Sequence, residues 1–224
     1  MLIIEKANYH GNPHIGIYIF SNDIISFIPK DSEPKLEQIV SSVLNVSVHR
    51  VSIADTSLIN TFVVGNNKGV LLPHIVKDYE YNIIKQALER NVAIAKTKYT
   101  ALGNICLVND RAALVSPYAY EDLARHIRDI LEVEVVEKGA IDDIPTVGSA
   151  AFVNNKGGLV HPDASEDDLK NLSQLFGVKF DVGTVNFGIG FIKSGLVGNS
   201  KGLLVGERTT GPEIMRISRV FGDE

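Results

Sequence analysis

Apolar positions along this chain follow two alternating rhythms. Short β-branched or aromatic runs are broken by polar turn residues, and stretches of about a dozen residues then carry apolar positions at helical spacing. The clearest case of the first is Phe62-Val-Val-Gly-Asn-Asn-Lys-Gly-Val-Leu-Leu-Pro73. Phe62–Val64 and Val70–Leu72 suit buried strands. Asn66-Asn-Lys-Gly69 suits the tight turn between them, because Asn and Gly tolerate a left-handed backbone. Pro73 ends the second strand, having no N–H for the ladder. Leu36, Ile39, Val40, Val43 and Leu44 show the second rhythm, at i, i+3, i+4, i+7 and i+8. That spacing predicts an amphipathic helix.

The hairpin pattern recurs at Cys106–Pro117, Phe152–Pro162 and Val197–Gly206, with a degraded copy at Ile19–Pro29. Pro29, Pro73, Pro117 and Pro162 lie 44, 44 and 45 residues apart. Each copy continues into a helix-start signal, an amphipathic helix and a short β-rich segment. Asp31-Ser-Glu-Pro34 offers caps and a first-turn proline, Asp78 precedes the second helix, and Ser165-Glu-Asp-Asp168 resembles a capping box. Further helical stripes are Ile83, Ile84, Ala87 and Leu88; Leu123, Ile127, Ile130 and Leu131; Leu169, Leu172, Leu175 and Phe176; and Ile214, Ile217 and Phe221.

Five ββαβ units of about 45 residues predict an α/β fold of α+β repeats: a closed five-bladed propeller with pseudo-five-fold symmetry. Residues 1–224 are expected to form one such domain, with repeats at about 13–56, 57–99, 100–144, 145–183 and 184–224. Each helix is expected to cover its own small sheet. The fifth copy ends after its helix, so its closing strand is either missing or supplied by the N-terminal apolar run Leu2–Ile4.

Composition narrows the chemistry. At 224 residues and 45% hydrophobic, the chain can build a core without staples. Cys106 is the one cysteine, which excludes an internal disulfide and suits a reducing cytoplasm. The N-terminus is interrupted by charge too early for a signal peptide, and no apolar run reaches the ~20 residues of a membrane helix. The net charge of −5 argues against bulk phosphate neutralisation, so DNA is not expected and any RNA contact should be local.

Catalytic and metal signatures are sparse. Cys106 replaces Phe62 and Phe152 of the other copies and reads as a small buried hydrophobe. The six histidines lack zinc spacing. Glu166–Asp168 lies at a helix start, where negative charge suits the dipole. Gly188-Ile-Gly190 lacks a third glycine, and Asn154-Asn-Lys-Gly157 is a turn rather than a phosphate loop. No cofactor is expected. The variable segments before each hairpin are better candidates: Pro13–Gly16, Leu58–Thr61, Thr100–Asn104, Pro145–Ser149 and Thr184–Gly190, all at one end of the ring. They could serve as blade connectors or as a binding face. Binding candidates are Asn60, Thr61, Leu102, Gly103, Asn104, Gly148, Ser149, Asn186, Phe187, Gly188 and Phe191. Among them Asn104, Asn186 and Phe187 depart from the bland repeat pattern, and a loop aromatic beside glycines suits a binding anchor.

The whole chain resembles the translation initiation factor 6 family, a pentein fold. The resemblance is carried by Thr100-Ala-Leu-Gly-Asn104, Pro145-Thr-Val-Gly-Ser149, Asn155–Pro162, Gly183-Thr-Val-Asn186 and Thr209-Thr-Gly-Pro-Glu213. The ending shortly after the fifth helix is like that of archaeal members. The resemblance implies a non-enzymatic anti-association factor, a monomer that covers the intersubunit face of the large ribosomal subunit. Its implied contact is a ribosomal protein near the sarcin–ricin loop, with any rRNA contact local. Asn104 falls at a position the family uses for that contact, while Thr61 and Phe191 depart from the eukaryotic residue types. The other readings are a guanidino-group-modifying enzyme of the pentein type, which needs a C-terminal cysteine that this chain lacks, and a generic interaction propeller.

Overall fold

A computed structural model describes residues 2–89 and 91–222. Strand β1 (Ile3–Ala7) opens the chain. Blade 1 comprises the one-turn helix α1 (Ile15–Tyr18), hairpin strands β2 (Phe20–Ser21) and β3 (Ile25–Pro29), helix α2 (Pro34–Leu44) and closing strand β4 (Ser47–Val51). Blade 2 repeats the order with α3 (Ile59–Phe62), β5 (Val64–Gly65), β6 (Gly69–Leu72), α4 (Asp78–Leu88) and β7 (Asn91–Ile94). Blade 3 has α5 (Leu102–Ile105), β8 (Cys106–Val108), β9 (Ala112–Val115), α6 (Tyr120–Leu131) and β10 (Val135–Lys138). Blade 4 has α7 (Val147–Ala150), β11 (Ala151–Val153), β12 (Gly158–Val160), α8 (Glu166–Phe176) and β13 (Phe180–Val182). Blade 5 has α9 (Ile192–Gly195), β14 (Leu196–Gly198), β15 (Gly202–Gly206) and α10 (Gly211–Phe221).

In every blade the hairpin pair is antiparallel, and a third strand lies parallel to its second member. In blade 5 that third strand is β1, with Ile3 opposite Gly202 and Ala7 opposite Gly206. The two ends of the chain thus meet in one sheet. The N-terminal strand runs further than Leu2–Ile4, through Ala7. The five one-turn helices follow one another around the axis, with α9 against α1.

Two expectations change. Phe62 belongs to α3, and the first hairpin strand of blade 2 is only Val64–Gly65. The segments before each hairpin are one-turn helices, four residues long and too short to show a helical period. The helices also cover more than their own sheets. Leu123, Ile127 and Leu131 of α6 pack on Val64 and Leu71 of blade 2 as well as on Ala113 and Val115 of blade 3. Leu172, Leu175 and Phe176 of α8 likewise pack on Leu107 and Leu114 of blade 3. Each core therefore lies between neighbouring blades, and a single unit cannot bury its apolar surface alone.

The hairpin turns bind the blades to one another. Asn22, Asn66, Asn109, Asn154 and Asn199 each close their own turn, their Oδ1 accepting the N–H groups two and three residues on. Their Nδ2 groups face the next blade. Asn22 donates to Asn66 O at 2.9 Å, Asn154 to Asn199 O at 2.8 Å and Asn199 to Asn22 O at 3.0 Å. Asn66, Asn109 and Asn199 also reach Leu131 O, Phe176 O and Leu44 O at 2.8, 3.0 and 2.9 Å. Those carbonyls end helices of the next blade and lack an intrahelical donor.

Candidate functional site

Because β8 runs from α5 to its turn and β9 runs back, the turns lie at one end of the ring and the one-turn helices at the other. The helix end carries the sequence candidates. Their second residues, Gly16, Asn60, Gly103, Gly148 and Lys193, crowd the axis. A methyl at Gly103 would collide with the carbonyls of Asn60 and Val63, and one at Gly148 with those of Gly103 and Cys106. Glycine is needed there for backbone approach, not for a partner. Asn60 is buried and donates to Gly16 O at 2.7 Å. Leu102 is fully buried in the core between blades 2 and 3. Asn60, Leu102, Gly103 and Gly148 therefore hold the ring together and present no side chain to a partner.

The third residues of these helices face outward instead. Ile17, Thr61, Asn104, Ser149 and Ser194 are half-buried and share one rim around the axis. The side chains of Thr61 and Asn104 form no hydrogen bond within the described residues, so their polar groups face solvent unengaged. Ser149 Oγ donates to Thr146 O at 2.8 Å. Sequence reasoning missed Ile17 and Ser194. Their signal is position in the repeat alone, because neither residue type suggests a site.

The connector into blade 5 carries the apolar part. Blades 1, 2 and 4 enter through two left-handed residues: His10-Gly11, Ala54-Asp55 and Asp142-Asp143. In blade 5 the turn is one residue longer, and Asn186, Phe187 and Gly188 have φ of 51°, 68° and 94°. Asn186 faces inward, donating to Pro13 O at 2.9 Å and packing on Thr209 and Gly206, so it fastens the seam where the chain ends meet. Phe187 points out, 74% exposed. A left-handed conformation is costly for an aromatic residue and persists only where its surroundings enforce it. Glu213 is that enforcement. It accepts from Gly188 N at 2.9 Å and Phe187 N at 3.3 Å, and from Thr184 Oγ1 and both donors of Thr210. Burial opposes its ionisation, but these hydrogen bonds outweigh it and hold the carboxyl below its usual range. Exposed Ile189 and Phe191 continue the patch, with Phe191 set edge-on against His161, ring centres 5.5 Å apart. His161 thus supports Phe191.

A cavity lined by residues of all five blades lies on the axis. Phe20, Val64, Val108, Phe152 and Val197 line it, and Asn60, Cys106, Gly148 and Lys193 lie among its lining near the one-turn helices. Lys193 Nζ donates to Gly103 O at 2.7 Å. Desolvation pulls this ammonium down to about 8 and pushes the Cys106 thiol up to about 12. A thiol kept protonated and buried is a poor nucleophile. Among the described residues no group of three or more His, Cys, Asp or Glu is placed to hold a metal ion, and no helix is long and apolar enough to cross a membrane.

Comparison with known proteins matches the eIF-6 family model over residues 4–220. Curated proteins called translation initiation factor 6 are similar in sequence. That of Pyrobaculum arsenaticum is 41% identical over 152 residues, covering 66% of this chain and 67% of its own. That of Methanocaldococcus jannaschii is 40% identical over 154 residues, covering 66% and 67%. That of Aeropyrum pernix is 45% identical over 148 residues, covering 64% and 63%. The aligned segments thus span about three fifths to two thirds of these relatives. Among solved structures, a C. jejuni agmatine deiminase aligns with a TM-score of 0.43 and 13% identity, covering 88% of this chain and 72% of its own.

Proposed function

The chain belongs to the eIF-6 family, and from that premise we propose that it binds the intersubunit face of the large ribosomal subunit and blocks joining of the small subunit. The relatives it matches carry the name of a translation factor rather than of an enzyme. The observation that carries the proposal is the composition of the helix end: an apolar edge of Phe187, Ile189 and Phe191 on an enforced turn, at the same end of the ring as the unengaged polar groups of Thr61 and Asn104. Aromatic anchors flanked by adaptable polar groups are what a protein partner's surface requires. The blades close into one ring around the axis, so docking should order little chain beyond the side chains themselves. With a net charge of −5, the partner fitting this face is a basic ribosomal protein near the sarcin–ricin loop, any rRNA contact being local. The protein would act as a monomer in the cytoplasm and without a cofactor.

Binding is tested by co-sedimentation of purified protein with large subunits. Phe187→Glu and Asn104→Lys are expected to abolish pelleting while circular dichroism and melting temperature stay near the parent's, since both side chains point outward. Full retention of pelleting by the double variant would remove this face from the proposal.

A further inference from the structure

The connector into blade 3 differs from the other four. Those close on an isolated bridge, at Tyr9–Asn12, Ile53–Thr56, Ile141–Ile144 and Val185–Ile189, and turn through left-handed residues. Neither feature occurs between Ala95 and Leu102, all of them described residues. Lys96-Thr-Lys-Tyr99 stands there instead. Lys96 and Lys98 are exposed and form no ion pair among the described residues. Lys98 Nζ lies 5.2 Å from the centre of the Tyr99 ring. Tyr99 Oη donates to Tyr118 O at 2.7 Å, which ties this connector to the loop between β9 and α6. Tyr118 follows an exposed Pro117 and is itself 72% exposed. The carboxylates that open α6 are engaged: Asp122 accepts from Thr97 Oγ1 at 2.9 Å, and Glu121 lies 3.7 Å from Lys138 Nζ.

We propose that this corner of blade 3 binds single-stranded RNA, with a base stacked on Tyr118 and the flanking phosphates on Lys96 and Lys98. That the strand is RNA rests on the ribosomal setting proposed above; the site itself does not. An unpaired base offers a π-face for an exposed tyrosine, and its phosphates need cations beside it. Other occupants use half of the corner. An acidic peptide would engage the lysines and leave Tyr118 in water. An apolar protein surface would cover Tyr118 and bury two ammoniums unpaired. A duplex keeps its bases stacked inside and gives Tyr118 nothing. Tyr99 is a positioning residue: its hydroxyl holds the Tyr118 loop and its ring holds Lys98, so platform and cation are fixed relative to each other. The next connector carries Asp142 and Asp143, which repel phosphate, so the strand should leave towards blade 2. The net charge of −5 keeps the contact short and sensitive to salt.

The test is fluorescence anisotropy of a short labelled oligouridylate titrated with the full chain. Saturable binding is expected, with log affinity falling against log salt at a slope of about −1.4, as for two phosphates neutralised on a single strand. Lys98→Ala should bring that slope to about −0.7. Tyr118→Ala should weaken binding about tenfold, whereas Tyr118→Phe should not, because the ring face survives. Both variants keep the bond from Tyr99, which ends on the backbone carbonyl of Tyr118. Tyr99→Phe loses that bond and should weaken binding while leaving the salt slope unchanged. Absence of saturable binding, undiminished binding by Tyr118→Ala, or equal affinity for an oligoglutamate of the same charge would overturn the assignment. Phe187→Glu, which should abolish large-subunit pelleting, should leave oligouridylate binding unchanged, so the two proposals fail separately.

Discussion

Glu80 and Glu213 occupy the third position of α4 and α10, and each holds the turn that leads into its own blade. Glu80, 1% exposed, accepts from Ala54 N, Asp55 N, Ser52 Oγ and Lys77 N at 2.6–3.0 Å. Desolvation opposes its charge, yet those hydrogen bonds win and its carboxyl titrates below its ordinary 4.5. Glu213 is lowered in the same way. A carboxyl lowered on folding stabilises the fold fully above its unfolded value and stops doing so as pH falls through the folded one. Acid unfolding should therefore set in below about pH 4.5, and Glu80→Ala should lose about 3 kcal/mol at neutral pH while narrowing that acid dependence, measured by urea melts across pH. The two glutamates differ in consequence. Glu213→Ala should also weaken large-subunit pelleting by releasing Phe187, whereas Glu80→Ala should lower the melting temperature and leave pelleting intact. Lys193 also makes stability rise with pH, but because folding opposes its charge rather than favouring it. Its ammonium is lowered to about 8, so folding disfavours its charge; stability should rise between pH 8 and its unfolded value near 10.5. Cys106, raised to about 12, works against that gain above its unfolded value of 9. Cys106→Ala should make the alkaline rise larger.

Among the elements, hairpin turns and long helices were legible from sequence because their signals are local. Asn66-Asn-Lys-Gly69 declares a turn, Ser165 and Asp168 do form a reciprocal capping box, and the stripe on α2 is buried as its spacing predicts. The one-turn helices were hidden, as Ile59–Phe62 shows: four residues complete one turn and look like a strand lead-in. The second role of the turn asparagines was hidden too, because Asn199 meets Leu44 O only after closure brings blade 5 to blade 1. The candidate face was half legible. Phe187 stands out as an aromatic among glycines, but Leu102 and Gly103, equally prominent as a motif, are packing residues. Nothing local shows that Glu213 supports Phe187, since the capping pattern Thr210-x-x-Glu213 accounts for that residue without it. These roles predict unequal costs. Ser165→Ala removes one helix cap and should cost about 1 kcal/mol. Asn199→Ala removes the acceptor for two turn N–H groups and the donor to Asn22 O and Leu44 O, so about 3 kcal/mol is expected by denaturant melts.

For the whole molecule, stability depends on closure, and closure depends on β1. Five cores lie between neighbouring blades, and the one between blades 5 and 1 joins Val197 and Leu204 to Ala7, Ile15 and Ile28. In that core the sheet of blade 5 is completed by β1, which supplies the third strand along all five residues of β15. Deleting residues 1–7 removes this strand and Ala7 together. It also exposes β15 as an apolar edge, the kind of unpaired strand that templates association with another chain. The seam would retain the bonds from Asn199 to Asn22 and Leu44 and from Asn186 to Pro13, all of which lie outside the deleted segment. The truncated ring should therefore remain folded in blades 2–4 but melt at a lower temperature and in two steps, the seam first. It should also form dimers or larger species in size-exclusion chromatography, and adding a synthetic peptide of residues 1–8 should restore the monomer and the single transition. An unchanged melting temperature would show instead that the N-terminal strand is dispensable and that the turn asparagines close the ring unaided.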